Sequence, residues 1–570
     1  MGTLVSVNVG LPKNVQWHGK AVYTGIWKTP VDGPVLARRL NLDGDGQGDL
    51  AGHGGEHRAV MVYQTESYDF WKAYLHREDL KPGHFGENFT VTGLPDNDVC
   101  IGDRYRIGSA EFEVTQPRVT CYRVGLRLNE PEMPKLLVSQ HRPGFYMRVL
   151  KEGHVRAGDD IVLTRRGRHE LNVADVDALL YLPNRDVGQL RQIVDVPALS
   201  PGWMQSFNDI LAEPEPSLSN QAPPIGVEPA WSGFRPLRVS AVHRESPQVT
   251  SFRLETEDHT PLPRPLPGQY LTVRIPGAGS PTPVRSYSLS GDPGAVDYRI
   301  SVKREDHGLV SQWLHSHVEA GSVIEAAAPR GDFCLSEGDG PVVLISAGIG
   351  VTPVLAMLHA LSTAHSTRDI WWVHTVRNAE SQAFAAEVAP LIESLPHAQQ
   401  HVFYTQTQGR MDQSAIAALD LPTTASAYLC GPTQFMTDIR DALIAVGFDP
   451  TRVHSELFGA LPSINPGVVD GGPSKPPHLP VGAPGTGPMI TFARSGLSVN
   501  WSPDHHSILD LAEACDVPTR FSCRSGVCHV CETGILDGAI TYVQPPLEPP
   551  GPQTVLICSA APRNDLVLDL

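Results

Sequence analysis

The amino-acid sequence predicts a multidomain protein in which β-rich domains flank an α/β domain. The chain has 570 residues, enough for about four domains of roughly 150 residues each. Two stretches look like linkers: residues 213–230 hold five prolines, and residues 461–488 hold eight prolines and six glycines. Between them, short strand patterns come first and a strand–helix alternation follows. The sequence therefore predicts three folded blocks, the middle one with two domains.

Composition narrows the class of protein. The formal net charge of -17 argues against a nucleic-acid partner, because phosphate contacts need a basic surface, and it disfavours anionic membranes. The N-terminus lacks the basic and apolar regions of a secretory signal. Nine cysteines, an odd number, do not suggest a disulfide framework in a chain of this length. We therefore predict a cytoplasmic protein with no nucleic-acid and no membrane partner.

The strand and helix patterns assign each block a fold. In the first block, residues 4–9, 59–63 and 111–115 favour strands, and residues 171–211 look helical. In the second block, residues 271–275 and 298–302 alternate as barrel strands do, and the later half predicts a doubly wound sheet. The uncharged window 340–361 contains glycines and a proline. It predicts a buried parallel strand leading into a glycine loop, in preference to a membrane span.

Four cysteines in the third block have the spacing of an iron–sulfur site. Cys523, Cys528 and Cys531 form a C-x4-C-x2-C string, and Cys558 follows. This is the spacing of a plant-type 2Fe–2S ferredoxin, and Gly526 in the loop predicts a conformation that a side chain would forbid. Four-cysteine zinc sites remain an alternative, although they usually bring two C-x2-C pairs. The flanking strand patterns also resemble the ferredoxin fold.

A second motif, R-x-Y-S, lies at residues 285–288. The block that carries it resembles the ferredoxin-reductase superfamily. The resemblance implies that Arg285 binds a flavin phosphate, that Tyr287 lies against the isoalloxazine, and that Ser288 hydrogen-bonds the ring. Gly308 and Ser311, before a helical run, could bind a phosphate. That segment is similar to FAD-dependent flavohaemoglobin reductases, which favours FAD. The domain order resembles phthalate dioxygenase reductase, which leaves FMN as the alternative.

Two further motifs predict a nicotinamide site. A glycine loop follows the predicted strand directly, and such a loop lets the backbone approach a pyrophosphate. A C-G-P string comes later, where the superfamily places the nicotinamide, and an aromatic residue falls where the family often packs one near the flavin. An ordinary core role for that aromatic residue is equally open, and so is the choice between NADH and NADPH. The candidate residues are Gly348, Gly350, Thr352, Pro353, Cys430, Gly431, Pro432 and Phe458.

The first block carries several short strings, at residues 19–31, 43–49, 53–55, 85–89 and 116–121. Together they resemble the MOSC family, named for the C-terminal domain of molybdenum-cofactor sulfurase, and in particular its small bacterial branch that reduces N-hydroxylated bases. The resemblance implies that Cys121 ligates molybdenum held by a pterin, with Arg118 favouring the thiolate. Taken alone, a cysteine such as Cys121 is more often a buried structural residue than a metal ligand. Thr120 stands where that branch usually has proline.

The pterin needs hydrogen-bond donors, and the matching strings supply candidates. Each has a plainer alternative, such as a surface lysine, a turn histidine or a turn-capping asparagine. The aspartates at residues 43, 45 and 49 lack the spacing of a calcium loop, and we interpret them as a turn in the same pocket. The candidate pterin-binding residues are Lys28, His53, Asn88, Arg118, Tyr146 and Arg148.

The sequence therefore predicts a self-sufficient oxidoreductase. Electrons would pass from NAD(P)H to flavin, to the 2Fe–2S cluster and to molybdenum at Cys121, where a small N-hydroxylated substrate is reduced from N–OH to N–H, with no separate donor. The alternatives are a reductase that donates to a separate oxygenase or acceptor protein, with the MOSC block as a docking or sulfur-transfer module, and a cofactor carrier. The second linker suggests a ferredoxin domain that swings.

The predicted order is a MOSC domain with C-terminal helices (1–212), a linker (213–230), a flavin-binding β-barrel (231–337), a doubly wound NAD(P)-binding domain (338–460), a linker (461–488) and an α+β β-grasp 2Fe–2S ferredoxin domain (489–570).

Overall fold

The computed structural model describes residues 2–17, 20–48, 54–182, 185–211, 229–306, 308–456, 475–521, 524–527 and 529–570. Among these residues the predicted fold class is confirmed: a β-rich domain with a helical tail, a flavin-type barrel, a doubly wound α/β domain and a small α+β domain follow one another. None of the helices within these ranges has the length and apolar character needed to cross a bilayer.

The first domain is a closed barrel with helices packed on it. Its strands are Gly2–Val9, Lys13–Trp17, Lys20–Thr24, Thr29–Pro30, Val35–Ala37, Val60–Gln64, Phe89–Thr92, Arg104–Ile107, Ala110–Pro117, Phe145–Lys151, Gly153–Val155 and Asp160–Arg165. Its helices are Thr65–Leu75, Tyr122–Leu128, Met133–Ser139, Val173–Tyr181, Val187–Ile193 and Pro201–Leu211. The sheet closes because Gly2–Val9 pairs with Phe89–Thr92 on one side and with Asp160–Arg165 on the other.

Local sequence explains the helical tail. Asn172 and Asp186 stand just before two of its helices, and each side chain accepts a backbone hydrogen bond from three residues later, at 2.8 Å and 3.0 Å. Such caps satisfy amides that the first helical turn leaves unpaired. Trp203 and Phe207 in the last helix are fully buried in the same core as the barrel. The tail is therefore part of the first domain's core.

The second domain is an antiparallel barrel. Its strands are Phe234–Arg244, Val249–Glu255, Tyr270–Arg274, Val284–Ser288, Tyr298–Lys303 and Val323–Ala327, and its helix is Leu309–His317. The outer strands Val284–Ser288 and Tyr298–Lys303 approach each other at a bridge between Leu289 and Ile300. The barrel therefore closes beside the strand that carries the R-x-Y-S motif.

The third domain is a five-stranded parallel sheet. The spatial order of its strands is Ala398–Tyr404, Ile370–Val376, Val342–Ala347, Ser426–Cys430 and Val453–Glu456. Its helices are Val351–Thr363, Ala385–Glu393, Thr405–Gln408, Gln413–Ala417 and Thr433–Ala445. The chain order reverses between Val342–Ala347 and Ser426–Cys430. In doubly wound sheets the carboxyl ends of strands at such a switch point form the ligand-binding crevice.

The fourth domain is small and mixed. Its main sheet has the order Leu497–Asn500, Met489–Phe492, Leu566–Leu568, Glu532–Asp537 and Thr554–Leu556, with helix Ile508–Ala514 packed on it and a small pair formed by Ile540–Tyr542 and Ala560–Pro562. Met489–Phe492 and Leu566–Leu568 run parallel. Residues 475–488, assigned from sequence to the linker, lie along this domain: His478 contacts Asp516 at 2.7 Å, and Gly487 donates to the carbonyl of Trp501 at 2.9 Å.

The fourth domain contacts both barrels. Towards the second domain it buries Leu536 and Val567 against Val284, and Asp537 forms an ion pair with Arg274 at 3.0 Å. Towards the first domain it buries Val527 in that domain's hydrophobic core. It therefore lies between the two.

Candidate functional sites

A cleft of about 660 Å³ opens on the first domain. Strand Ala110–Pro117 ends at a proline, which cannot continue a hydrogen-bonded ladder, and the next residues turn towards helix Tyr122–Leu128. Cys121 stands at the end of that turn and faces the cleft. The lining residues include Ile26, Lys28, Asp45, Gln47, Arg58, Met61, Asn88, Arg118, Val119, Cys121, Arg123 and Tyr146. Most of the predicted pterin-binding residues therefore meet in one cavity.

Cys121 lies among guanidinium groups. The Nη1 of Arg123 donates to its sulfur at 3.4 Å. The predicted neighbour Arg118 is buried in the same cleft, but its Nη1 donates to the carbonyl of Phe85 at 2.7 Å. Among the described contacts of this sulfur, Arg123 therefore supplies a cation that the sequence prediction did not include. No spacing rule gave a signal for this contact, because Cys121 is the extended residue just before helix Tyr122–Leu128.

Lys28 and Asn88 are joined by an aspartate. Asp45 forms an ion pair with Lys28 and accepts a hydrogen bond from the Asn88 side chain at 2.9 Å and from the Gly10 amide at 2.9 Å. Burial lowers the pKa of Lys28, while Asp45 acts to raise it. The interpretation of this loop as a turn in the pocket is thus confirmed for Asp45. Asp43, in contrast, pairs with Arg38 at the exposed surface.

Two other arginines differ from the prediction. Arg58, which the prediction omitted, is buried in the cleft wall and donates to the Gln116 side chain at 3.3 Å. Arg148 is outside the lining: its Nε donates to Glu113 at 2.7 Å, and it lies 3.5 Å from a His57 nitrogen. Tyr146, two residues before Arg148 in the same strand, does line the cleft, and burial raises the pKa of its phenol.

Some predicted residues cannot be placed. His53, Phe458, Cys523 and Cys528 lie outside the described residues. Within the described ranges no group of three or more His, Cys, Asp or Glu side chains is arranged to hold a metal ion. Because two of the four predicted cluster ligands are outside those ranges, this observation does not bear on the cluster.

The two described cluster cysteines lie together. Cys531 and Cys558 are both buried, and the amide of Ile557 donates to the carbonyl of Cys531 at 3.4 Å. The amide of Gly526 donates to the sulfur of Cys558 at 3.3 Å. Gly526 has a φ of 71°, which confirms the conformation predicted for it. Thiol sulfurs that accept backbone amides, as here, suit an iron–sulfur cluster.

A second cleft, of about 850 Å³, lies between the second and third domains. Arg285, Tyr287 and Ser288 line it from strand Val284–Ser288, and burial raises the pKa of Tyr287. Gly308 and Ser311 line it from the start of helix Leu309–His317, where the Ser311 hydroxyl accepts from the Glu305 amide at 3.1 Å. The R-x-Y-S motif and the helix start thus share one cavity. Lys303 and Ser301 also line it, and the sequence prediction missed both.

The nicotinamide motifs meet at the switch point of the parallel sheet. Gly348–Gly350 follows strand Val342–Ala347 and leads into helix Val351–Thr363, which includes Thr352 and Pro353. Gly350 packs so closely on the other loop that an added Cβ would lie 2.3 Å from the carbonyl oxygen of Cys430. Gly431 is similarly tight, at 2.9 Å from the Ala347 Cβ. Pro432 caps helix Thr433–Ala445. The two loops therefore form one surface.

Charged residues from two domains converge behind this surface. Cys430 is buried with its sulfur 3.6 Å from the Glu456 carbonyl oxygen, and burial raises its pKa. Burial also raises the pKa of the Glu456 carboxyl, to about 7, with Arg494 of the fourth domain acting against the shift. Arg494 donates to Asp569 at 2.9 Å and to the hydroxyl of Tyr270 at 2.8 Å. This junction joins the second, third and fourth domains.

The first domain matches known families over most of its length. The MOSC domain profile matches residues 49–162, and the profile of the YiiM-like, 3-alpha helix domain matches residues 173–212. The uncharacterized protein YflK of Bacillus subtilis is 38% identical over 205 residues, which cover 92% of that protein and 36% of this chain. The chain belongs to the MOSC-domain proteins. The predicted family is thereby confirmed.

The rest of this MOSC protein matches reductase domains. The oxidoreductase FAD-binding domain profile matches residues 236–334, the oxidoreductase NAD-binding domain profile residues 344–441, and the 2Fe-2S iron-sulfur cluster binding domain profile residues 490–563. These matches confirm the predicted order of flavin, nicotinamide and iron–sulfur domains. The chain is an electron-transfer module of the flavin, NAD and 2Fe–2S type joined to a MOSC domain.

Relatives of the reductase part share only some of their length with this chain. A flavohemoprotein of Oceanobacillus iheyensis is 38% identical over 248 residues, which are 41% of this chain and 61% of the relative. The chain thus spans about three fifths of the flavohemoproteins it matches. The solved structure of phthalate dioxygenase reductase is 26% identical and covers 59% of this chain and 98% of that one, with a TM-score of 0.37.

Proposed function

We propose that this MOSC protein is a self-sufficient, NAD(P)H-dependent reductase of N-hydroxylated compounds that uses FAD, a 2Fe–2S cluster and a molybdenum–pterin cofactor. The balanced reaction is R–NHOH + NAD(P)H + H⁺ → R–NH2 + NAD(P)⁺ + H2O. Two electrons leave the nicotinamide, the N–O bond breaks, and two protons accompany the electrons. The observation that carries the proposal is the contact of the cluster loop with the MOSC domain beside Cys121.

The residues of the first cleft suit an anionic cofactor with a soft metal. Cys121 offers a thiolate, and thiolates are suitable ligands for soft metal centres. Arg58, Arg118 and Arg123 line the same cleft, and guanidinium groups match phosphate oxygens in pairs. Molybdenum, when bound there, would supply the two-electron chemistry that accepts the oxygen atom. Tyr146 would orient the substrate or pterin through its hydroxyl, which is protonated at neutral pH and whose pKa burial raises further.

The second cleft suits a flavin. Arg285 and Lys303 provide cations for its phosphates, and Tyr287 provides an aromatic face. The N-terminal end of helix Leu309–His317 adds a positive partial charge on the same cavity. FAD is favoured over FMN because the matched profile describes an FAD-binding domain. The glycine loop at Gly348–Gly350 would receive the nicotinamide dinucleotide at the switch point.

The rival function is a reductase that serves a separate acceptor protein. Such a protein needs access to the cluster loop, because electrons leave the cluster there. Here Val527, which stands between two predicted ligands, is buried against the chain's own MOSC domain. The acceptor side of the ferredoxin domain is therefore already occupied, which favours the self-sufficient reductase.

The decisive experiment uses full-length protein from a host that makes molybdenum–pterin. We expect near-stoichiometric molybdenum by mass spectrometry, FAD by chromatography, and NAD(P)H oxidation with a hydroxylaminopurine or an amidoxime without any added protein. Cys121→Ala should abolish this turnover and spare the reduction of cytochrome c. Cys100→Ala, a buried cysteine of the same domain outside the cleft, is the matched control. If Cys121→Ala still reduces the N-hydroxylated substrate, the assignment of Cys121 is wrong.

A further inference from the structure

We propose that the ferredoxin domain is docked on the MOSC domain through a built interface and delivers electrons to the Cys121 cleft from that position, without swinging. The docking surface comprises Glu132, Lys135 and Val138 on the MOSC side with the residues around Val527 and Gln544 on the ferredoxin side. The acceptor's identity rests on the proposed function, but the interface can be tested separately.

The centre of the docking surface is apolar. Val527 is 3% exposed and belongs to the same hydrophobic cluster as Val138 of helix Met133–Ser139 and the barrel core. Val530, three residues later, packs against that cluster as well. Because the two valines lie on either side of the predicted ligand at position 528, moving the domain away would expose apolar surface at the cluster itself. That exposure is unfavourable in water.

A polar rim fixes the orientation of the contact. Lys135 is almost fully buried, and its ammonium group donates to the carbonyl of Pro545 at 2.5 Å and to Glu132 at 2.8 Å. The Gln544 side-chain amide donates to the other oxygen of Glu132. A buried lysine needs such partners, since an unpaired buried charge is strongly destabilising. The start of helix Met133–Ser139 and residues 544–545 are therefore joined by specific hydrogen bonds.

Arg524 brings a ferredoxin charge to the cleft. It forms ion pairs with Glu513 and Asp510, which lie on helix Ile508–Ala514 of its own domain. It also lies within electrostatic range of Cys121 across the interface. A charged residue of the predicted cluster loop is thus close enough to Cys121 to interact with it electrostatically.

The ferredoxin domain contacts the flavin barrel at the same time, through other residues. Arg330 of the flavin barrel donates to the carbonyl of Ile535 at 3.0 Å and to Gln553 at 2.9 Å. Arg274 pairs with Asp537 at 3.0 Å. Since the flavin-facing and MOSC-facing contacts are made together, electrons can enter and leave the domain without a movement between them. This arrangement replaces the swinging domain suggested by the linker.

The test compares the double variant Lys135→Ala/Gln544→Ala with a matched control, Lys151→Ala, an exposed lysine at the end of another MOSC strand. Iron and flavin contents must equal those of the wild type. We expect the double variant to reduce the N-hydroxylated substrate about tenfold more slowly, because loss of a hydrogen bond to a charged group shifts an equilibrium by roughly that factor. Cytochrome c reduction should rise, because the cluster loop becomes accessible. Lys151→Ala should change neither rate.

A second measurement tests the docked interface independently of substrate reduction. Hydrogen–deuterium exchange of helix Met133–Ser139 in the full-length protein should increase in the double variant, and to a smaller degree in Gln544→Ala alone. The same increase in exchange is expected even if the wild type carries no molybdenum. In that case the proposed function is wrong, whereas the docked interface is still supported. If exchange of that helix and cytochrome c reduction both equal the wild type, the docked interface is wrong.

Discussion

At the scale of single residues, Asp43 and Asp45, two aspartates of the loop at residues 43–49, have different roles. Asp45 is buried, pairs with Lys28 and holds Asn88, whereas Asp43 pairs with Arg38 in solvent. An exposed ion pair contributes little to stability, while removing one partner of a buried pair leaves an uncompensated charge. The loop therefore has one structural residue and one surface residue, two positions apart.

Asp45→Ala should destabilise the MOSC domain by about 3 kcal/mol or more, because Lys28 would stay buried without its counter-charge. Asp43→Ala, the control from the same loop, should leave the stability nearly unchanged. Urea unfolding of the full-length protein, followed by pulse proteolysis and quantification of MOSC peptides, measures both. Equal stability of the two variants would contradict the assigned role of the pair.

The sequence predicted part of the cleft. Lys28, Asn88, Arg118, Cys121 and Tyr146 were predicted from family strings and do meet. Their individual roles remain predictions. Arg58 and Arg123 were missed because they lie in the short helical segments Glu56–Arg58 and Tyr122–Leu128, whose contact with the cleft no sequence periodicity indicates. Arg148 was expected in the cleft, but its guanidinium forms an ion pair with Glu113 instead.

At the scale of elements, the nicotinamide crevice depends on two loops packed backbone to backbone. Gly350 and Cys430 approach so closely that only a glycine fits, because a Cβ would lie 2.3 Å from a carbonyl oxygen. Gly348, by contrast, has open space around it but a φ of 54°. One glycine is therefore required by contact and the other by conformation.

Gly350→Ala should push the two loops apart and slow flavin reduction by NAD(P)H about tenfold or more, as expected when a small misplacement disturbs reactive geometry. Gly340→Ala, where nothing lies within 4 Å of an added Cβ, is the control and should match the wild type. Stopped-flow absorbance of the flavin gives both rates. An unaffected Gly350→Ala variant would mean that the loops can separate without consequence.

The elements themselves were largely predictable. The runs at residues 271–275 and 298–302 form Tyr270–Arg274 and Tyr298–Lys303, and the apolar run before the glycine loop forms Val342–Ala347. Their β-branched residues and turn boundaries are strong local signals. Short helices such as Met133–Ser139 gave no comparable signal, because seven residues barely span two helical turns.

At the scale of the whole molecule, the junction behind Cys430 makes stability depend on pH. Burial raises the pKa of Glu456 from its usual value of 4.5 to about 7, although Arg494 lowers it; Asp569 and Asp332 add to the rise. The folded state therefore favours the neutral carboxyl. The contribution of this carboxyl to stability is complete below the pKa that Glu456 has in the unfolded chain, and it is lost as the pH rises through about 7.

The thermal midpoint of the full-length protein should accordingly be lower at about pH 8 than at about pH 5. Glu456→Gln should reduce this difference, because a neutral amide does not titrate. Part of the difference should persist, since burial also raises the pKa of Asp96 in the MOSC domain to about 7. Scanning calorimetry across this range is the measurement. A variant with an unchanged pH dependence would exclude Glu456 as its source.

Contacts between domains were beyond sequence reasoning. Val527 belongs to a string interpreted entirely through its cysteines, and nothing in C-x4-C-x2-C indicates that a valine inside it is buried on another domain. The linker composition suggested a mobile domain. A proline-rich spacer, however, carries no information on what the domains at its two ends contact. Complementary surfaces arise only once both domains have folded.

The burial of Val527 constrains how the protein matures. Because Val527 is buried on the MOSC domain, the docked arrangement would restrict access of iron–sulfur assembly factors to this part of the chain, and we predict that cluster insertion comes before docking. A chain whose ferredoxin domain docks before cluster insertion would then lack the 2Fe–2S cluster. The contact of one apolar side chain would thus affect the order in which the protein is assembled.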